Sequence, residues 1–342
     1  MIPLIEIDTI PEGLLTIEDA RELHALMPHP TLMHLEGERK APLFVTVLLH
    51  GNEDTGLFAI QKILRKYQGR SLPRSIIVFF GNIYAAKEGL RRLDGQPDYN
   101  RVWPGGEAEE SDEGRLIAKV MQIVTQTDPF ASIDIHNNTG KNPHYGCINR
   151  LDHDFFHLAS LFARTVVYFE TPRGVQSLAL AKYCPAVTIE CGKPHLPHGI
   201  EHAAEFVDTL LHMTEFPHHH LRSYEVDVYH TVARVTIPET FSYSYSDKNT
   251  DICLLPDLEN DNFSELPAGT VFAQVKPGSR AHFLARDDDG VECTDDYFVI
   301  EDQQIQLRKP MMPSMITLDE RVIRQDCFCY LMERIALPEA TE

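Results

Sequence analysis

The chain lacks the features that would assign it to a membrane or to a secretory pathway. No apolar stretch in its 342 residues approaches the roughly 20 residues that a membrane-spanning helix needs. The N-terminal sequence MIPLIEID has no basic residue and no long apolar core, so we expect no signal peptide. The seven cysteines form no CxxC pair, and Cys327 and Cys329 are too close for an ordinary disulfide. We therefore expect reduced thiols and a cytoplasmic protein.

Positive charge is also scarce. The chain has 31 lysines and arginines against 51 aspartates and glutamates, which gives a formal net charge of −20. This balance argues against nucleic acid and against an anionic membrane surface as partners. A small anionic substrate would need a local basic pocket. The sequence is compatible with a homo-oligomer and does not define the oligomeric state.

Short apolar segments alternate with segments of helical period through the first 215 residues. The pattern predicts strands at residues 44–49, 75–80, 132–135, 165–169 and 186–189. It predicts helices at residues 16–26, with Thr16 as the N-cap, and at 54–67, 116–125, 154–163 and 202–214. This alternation is typical of an α/β fold with a mixed, mostly parallel sheet flanked by helices.

The pattern changes near residue 220. Residues 224–237 largely alternate between polar and apolar side chains, and residues 270–275 and 297–300 are rich in strand-forming types. Turn-rich segments separate these stretches. We therefore predict two domains, a catalytic domain over residues 1–220 and a smaller β-rich domain over residues 221–342.

Three residues that can bind a metal ion follow predicted strands. His50 and Glu53 come after the first apolar run, and His136 ends the run that begins at residue 132. Ligands of α/β sheets bind outside the carboxyl ends of the strands, so we expect these side chains to meet there. They can supply the three protein ligands that a catalytic zinc ion needs. Taken alone, the His-x-x-Glu spacing is weak, because Asn52 and Glu53 could simply cap the following helix.

Two further carboxylates belong to the same region. Glu190 ends the apolar run 186–190 and could act as the base that deprotonates a zinc-activated water. Asp134 lies two residues before His136, on the same strand face, and could accept a hydrogen bond from a ligand imidazole. The alternative for Asp134 is a pairing with a backbone amide or an arginine.

Candidate substrate-binding residues lie between the first and third predicted strands. Asn100 and Arg101 occupy a loop rich in proline and glycine and can bind a carboxylate, the arginine as a bidentate fork. Arg91 or Arg92 could face the scissile carbonyl and stabilise the oxyanion that develops on it. The alternative for these arginines is surface ion pairing, which is natural in a chain this acidic.

Four motifs in order, HGNE, DYNRVWPG, DIH and IECG, resemble the zinc carboxypeptidase superfamily, and most closely its aspartoacylase/succinylglutamate desuccinylase branch. The resemblance covers roughly residues 40–215 and implies a β-rich C-terminal domain. It also implies one zinc ion per chain and a role for each matched residue. His50, Glu53 and His136 would be the zinc ligands, and Asn100 and Arg101 would bind the substrate carboxylate. Glu190 would be the general base and later the acid. Arg91 or Arg92 would polarise the carbonyl.

One departure from the branch concerns the substrate. Its members carry another substrate-binding arginine before the last catalytic strand, and the matching segment here, residues 177–185, lacks it. Arg173 is nearby and could take its place. This departure puts N-acetylaspartate and succinylglutamate in doubt as substrates.

We therefore predict a mononuclear zinc hydrolase that cleaves an amide bond in a small N-acyl amino acid or a short peptide with a free carboxylate. The first alternative is a carboxypeptidase that acts on peptides or cell-wall fragments. The second is a non-catalytic zinc-binding protein that uses the pocket for recognition. The presence of all three candidate ligands and of Glu190 argues against a non-catalytic protein.

Overall fold

A computed structural model describes residues 1–219 and 221–337 of the chain. These residues form two compact units. The first unit comprises residues 1–137 and 144–227 together with Leu337, and the second comprises residues 138–143 and 228–336. None of the helices in the described residues is long and apolar enough to cross a membrane.

Eight strands of the first unit lie side by side in the order β1-β2-β4-β3-β5-β8-β6-β7. The strands are β1 (Ile5–Ile7), β2 (Thr31–Leu35), β3 (Gly37–Val47), β4 (Leu72–Phe80), β5 (Ala131–His136), β6 (Tyr145–Ile148), β7 (Thr165–Tyr168) and β8 (Ala186–Glu190). The pairs β2–β4 and β6–β8 are antiparallel, and the other pairs are parallel. The predicted mixed, mostly parallel sheet is confirmed.

The helices of this unit lie between its strands along the chain, and the last one follows β8. They are α1 (Leu23–Leu26), α2 (Thr55–Lys66), α3 (Ile83–Glu88), α4 (Asp112–Thr125), α5 (His153–Phe162), α6 (Gln176–Leu180) and α7 (Pro197–His212), with a 3-10 turn at Ala20–Glu22. Every residue of β5 and β8 is buried. The polar side chains of β5, those of Ser132, Asp134 and His136, alternate with its apolar ones, and the sheet buries both sets.

Three helix starts differ from the prediction by three residues or more. Helix α4 begins at Asp112, four residues before the predicted start at residue 116, because the Ser111 side chain caps its N-terminus. The first helical segment begins after Asp19 rather than at Thr16, because Asp19 and Glu22 form a complete capping box. Thr16 instead donates its hydroxyl to the Gly13 carbonyl. Helix α7 starts at Pro197, five residues before the predicted start, because proline fits the first helical position, where no backbone N–H is required.

The turn after β3 is shaped by two backbone constraints. The strand ends at Val47, because Leu48 adopts a positive φ of 56°. Gly51 packs against α3, where a Cβ atom would lie 2.2 Å from the backbone nitrogen of Ala86. Only glycine fits this approach. The turn then leads directly into α2, so the HGNE motif lies between the end of a buried strand and the start of a helix.

The second unit is rich in strands, as predicted. Its strands are β9 (Asp227–Thr236), β10 (Tyr243–Ser244), β11 (Ile252–Leu254), β12 (Val271–Val275), β13 (Leu284–Arg286), β14 (Phe298–Glu301), β15 (Gln304–Leu307), β16 (Met312–Ser314) and β17 (Cys329–Ile335). Five of them form a sheet in the order β10-β11-β12-β15-β14, and β13, β9, β17 and β16 are neighbours in a second group. The helices are α8 (Thr294–Tyr297) and α9 (Glu320–Gln325), with a 3-10 turn at Leu258–Asp261.

The second unit includes a segment from the middle of the chain. Residues 138–143 belong to it, and only Asn137 separates them from the end of β5. The Thr139 hydroxyl donates to Thr317 Oγ1 at 2.7 Å, and the Asn142 side chain accepts from the backbone N–H of Met315 at 3.0 Å. The second unit is therefore discontinuous in sequence.

Candidate metal centre

His136 and Glu190 are neighbours on the central sheet. They are the last residues of β5 and β8, and the parallel register of the two strands places them opposite each other. Side chains in register project to the same face of a sheet. On the other side of β5, Thr46 of β3 is opposite Asp134, so the turn after β3 emerges at the same edge. Three strand ends therefore meet where α/β sheets bind ligands.

The side chains of His50, Glu53 and His136 converge at this edge. His50 Nδ1 lies 2.7 Å from Glu53 Oε1, and His136 Nδ1 lies 2.8 Å from Glu53 Oε2. All three side chains are buried, and each offers a ligand atom within 4.8 Å of the other two. Among residues 1–219 and 221–337 no other group of three histidine, cysteine or acidic side chains meets this spacing.

The other ring nitrogen of each imidazole, Nε2, contacts a second carboxylate. His136 Nε2 lies 2.8 Å from Asp134 Oδ2, and His50 Nε2 lies 2.9 Å from Asp98 Oδ1. Such a partner fixes the proton on Nε2 and leaves the Nδ1 lone pair for a metal ion. Asp134 was predicted for this contact, whereas Asp98, the first residue of DYNRVWPG, was not.

The charges of this cluster shift one another's proton affinities. Burial alone would lower the pKa of His136, but Asp134 and Glu53 raise it well above its ordinary value. Burial and Arg91 oppose the charged form of His50, yet Glu53 and Asp98 leave its pKa raised. Burial disfavours ionised Glu53, but the two imidazoles hold its pKa well below its usual range. A divalent cation bound here would take the place of the imidazole protons.

The two adjacent arginines have different environments. Arg91 faces the cluster, with Nη1 3.5 Å from Glu53 Oε1 and Nη2 3.2 Å from Asp98 Oδ2. The Arg91 carbonyl also accepts the backbone N–H of Gly51 at 3.1 Å. Arg92 donates to the carbonyl of Gln96 at 2.7 Å instead. The geometry therefore favours Arg91 as the residue that could reach a substrate carbonyl.

Asp98 also holds the loop that carries Asn100 and Arg101. Its Oδ1 accepts the backbone N–H of Asn100 at 2.8 Å, and its carbonyl accepts the backbone N–H of Arg101 at 2.8 Å. Arg101 donates from Nη1 to the Asn100 carbonyl at 2.7 Å. One carboxylate thus contacts both His50 and the backbone next to the candidate carboxylate-binding residues.

The loop of Arg173 packs against the loop of Arg101. Gly174 accepts the backbone N–H of Trp103 at 3.1 Å, and a Cβ on Gly174 would lie 2.6 Å from the Arg101 carbonyl oxygen. Gly174 has a φ of 77°, so both its conformation and its close contact require glycine. Arg173 itself is exposed, on the segment next to the Arg101 carbonyl.

A second residue that the sequence analysis overlooked is Asn137, which follows His136 directly. Its backbone N–H donates to Glu53 Oε2 at 2.9 Å, and its side chain is buried. The available signal was its position one residue beyond a strand-end histidine. A loop asparagine has no periodic pattern that would reveal its partners.

Comparison with known proteins places this geometry in context. The family model described as the succinylglutamate desuccinylase/aspartoacylase catalytic domain matches residues 42–216, a segment that contains all of the residues discussed above. The sequence matches no curated protein at a significant level.

Solved structures share the fold over most of the chain. The succinylglutamate desuccinylase from Chromobacterium violaceum is 16% identical with a TM-score of 0.56, over 88% of this chain and 87% of that one. Murine aminoacylase 3 is 15% identical with a TM-score of 0.57, over 87% and 96%. A succinylglutamate desuccinylase/aspartoacylase from Rhodobacter sphaeroides is 13% identical with a TM-score of 0.56, over 89% of each chain. At these identities the likeness shows a common fold.

Proposed function

Because the chain belongs to the succinylglutamate desuccinylase/aspartoacylase catalytic-domain family, we propose that it is a zinc-dependent hydrolase that removes the acyl group from a small N-acyl amino acid. The observation that carries this proposal is the convergence of His50, Glu53 and His136 at the sheet edge where Glu190 ends β8. The bond cleaved would be an amide, and the substrate would bear a free carboxylate.

The donor set fits a zinc ion. Two imidazole nitrogens and one carboxylate give three protein ligands, which leaves a position for water or substrate. The carboxylates of Asp134 and Asp98 contact Nε2 of His136 and of His50, so Nδ1 of both rings faces Glu53. Zinc bound at such a site polarises a carbonyl and makes water more acidic.

Glu190 would transfer the proton in this reaction. It is buried and in register with His136 on the neighbouring strand, which supports a role beside the proposed zinc site. It would accept a proton from the attacking water and deliver it to the nitrogen of the leaving amine. Water would add to the acyl carbon as the carbon–nitrogen bond breaks, which yields a carboxylic acid and a free amine.

No cysteine nucleophile is needed in this scheme. Cys191 follows Glu190, and Cys147 lies in the next strand. Burial and the nearby Glu190 charge raise the pKa of both thiols well above the ordinary cysteine value. Protonated, buried thiols are poor nucleophiles.

Arginines would supply the positive charge that an anionic substrate requires. Arg91 would hydrogen-bond to the oxygen that gains negative charge as water adds to the carbonyl. Arg101 and Asn100 would bind the substrate carboxylate, with the adjacent Arg173 available for a second anionic group. These cations would form the local basic pocket within an otherwise acidic chain.

A hydrolysis screen tests the proposal. Protein of measured zinc content would be offered N-acetyl, N-succinyl and N-formyl amino acids beside short peptides, with and without a chelator. We expect chelator-sensitive release of the amino acid from at least one N-acyl class. Release from peptides alone would identify a carboxypeptidase instead. A zinc-loaded protein that hydrolyses neither class would support a role in recognition.

A further inference from the structure

We propose that Asn137 is a positioning residue that holds the segment after Glu190 against the segment that carries the ligand Glu53. The inference rests on the proposed function and adds a residue to it. The two segments are the 53–55 turn, which leads into α2, and the 192–195 loop, which follows β8.

The Asn137 side chain connects these two segments directly. Its Nδ2 donates to the Gly192 carbonyl at 2.9 Å and to Thr55 Oγ1 at 2.9 Å. Its Oδ1 accepts the backbone N–H of Thr55 at 3.3 Å. The side chain is 3% exposed, so water does not replace these bonds easily. One amide group therefore contacts both the start of α2 and the loop after β8.

The contacts allow only one orientation of the amide. The Gly192 carbonyl can only accept a hydrogen bond, and the Thr55 backbone N–H can only donate one. The NH₂ group must therefore face Gly192, and the oxygen must face the start of α2. An aspartate at this position would lose both N–H donors and would place a carboxylate oxygen against a carbonyl oxygen.

The start of α2 depends on Asn137, because the N-cap residue is engaged elsewhere. Asp54 makes no side-chain capping bond to α2. Its carboxylate instead accepts the backbone N–H of His195 at 3.1 Å and pairs with the His195 ring. Asn137 Oδ1 instead accepts the N–H of the first helical residue, one of the four N–H groups that have no partner within the helix. The Asp54–His195 pair and the Asn137–Gly192 bond both join the 53–55 turn to the 192–195 loop.

These contacts control the position of Glu190 relative to the metal ligands. The backbone N–H of Asn137 holds the Glu53 carboxylate, and its side chain holds Gly192, two residues beyond Glu190. Gly192 has a φ of 72°, so the chain turns sharply just after the proposed base. A misplacement of about 1 Å can cost a catalytic group on the order of 100-fold in rate. Loss of the Asn137 amide should therefore affect turnover more than binding.

The experiment compares Asn137→Ala and Asn137→Asp with a matched control, Asn149→Ala. Asn149 is also buried and donates from Nδ2 to the Phe169 carbonyl at 2.9 Å. It follows β6, which is antiparallel to β8, so it lies at the opposite edge of the sheet from Glu190. Asn137→Ser, a smaller change that keeps a hydroxyl, serves if the alanine variant does not fold.

Two measurements decide the result. In the Asn137 variants, amide hydrogen exchange of the 192–195 loop should rise roughly tenfold, because a buried hydrogen bond to it is lost. With zinc content unchanged, kcat should fall on the order of 100-fold while KM changes little. Asn149→Ala should alter neither quantity.

Unchanged exchange in the 192–195 loop would overturn the proposal, as would an equal rise in Asn149→Ala. A loss of activity that merely follows loss of zinc would also overturn it. If the wild-type protein hydrolyses no substrate, the hydrolase proposal fails separately. In that case the exchange measurement alone decides whether Asn137 holds the loop.

Discussion

Asp98 Oδ1 lies 2.9 Å from His50 Nε2, on the side of the imidazole that faces away from Glu53. Burial alone would raise the pKa of Asp98, but His50 and Arg91 hold it well below its usual range. Asp98 is therefore an ionised, partly buried carboxylate behind a proposed metal ligand. Because its Oδ1 also accepts the Asn100 N–H, it connects the candidate metal ligand His50 to the proposed substrate-binding loop.

The first prediction concerns Asp98→Asn. An amide cannot replace the negative charge that orients His50 and raises its basicity, so zinc affinity should fall by about 10- to 100-fold. Competition with a chromogenic chelator would measure the change. Glu110→Gln removes an exposed charge from the same part of the chain and should leave zinc affinity unchanged. An equal affinity in Asp98→Asn and the wild type would show that Asp98 does not support the ligand.

The second prediction concerns Glu190→Gln. Glutamine keeps the size of the side chain but cannot accept the proton, so kcat should fall by roughly 100- to 10,000-fold with zinc still bound. Cys191→Ala, one residue further along, should retain activity, because the buried thiol has no proposed part in the reaction. Steady-state rates on protein of known zinc content test both changes. Full activity in Glu190→Gln would refute the assignment of the base.

The third prediction separates the two adjacent arginines. Arg91→Ala removes the guanidinium beside Glu53 and Asp98, and we expect kcat/KM to fall by about 100-fold or more at saturating zinc. Arg92→Ala is the matched control, since Arg92 contacts the Gln96 carbonyl, and its effect on turnover should be small. A larger loss in Arg92→Ala than in Arg91→Ala would reverse the assignment.

The fourth prediction is a pH dependence of stability. Tyr67, at the end of α2, donates its hydroxyl to Asp208 of α7 at 2.7 Å. Burial and then the Asp208 contact raise the pKa of Tyr67 to about 12. The neutral phenol is the form that donates, so the link is fully present below the ordinary tyrosine pKa of about 10 and is lost as pH rises towards 12.

Thermal unfolding of Tyr67→Phe and the wild type at several pH values tests this expectation. The wild type should unfold at a higher temperature below pH 10, and the difference should shrink between pH 10 and 12. A difference that stays constant across this range would mean that the Tyr67–Asp208 bond does not titrate as described.

The sequence predicted five of the eight strands of the first unit, because those strands carry a local signal, and it missed β1, β2 and β6. β8 is mostly apolar and ends in Glu190, β5 alternates isoleucines with polar residues and ends in His136, and parallel strands place their carboxyl ends at one edge. Knowing which runs are strands was therefore enough to bring these two residues together as a hypothesis. The antiparallel pairing of β6 with β8 had no such signal, because neither the spacing of apolar residues nor composition tells which strands pair.

The loops could not be predicted in the same way. Arg91 and Arg92 have the same residue type and adjacent positions, and only the fold of the loop directs one towards Glu53. The roles of Asp98 and Asn137 depend on hydrogen bonds to residues 48 or more positions away. The first helix start was predicted wrongly although its signal is local, because Asp19 is followed three residues later by the glutamate that a capping box requires, whereas Thr16 is followed there by an aspartate.

The discontinuous second unit has a consequence for synthesis on the ribosome. Asn142 emerges early, but its hydrogen-bond partner Met315 is translated 173 residues later. At about 5–20 residues per second, the segment after β5 waits on the order of ten seconds or more before its partner exists. During this interval the residues just beyond the strand of His136 lack their hydrogen bonds to the later part of the chain. Translation speed therefore sets how long this segment stays accessible to chaperones and proteases before its partner is made.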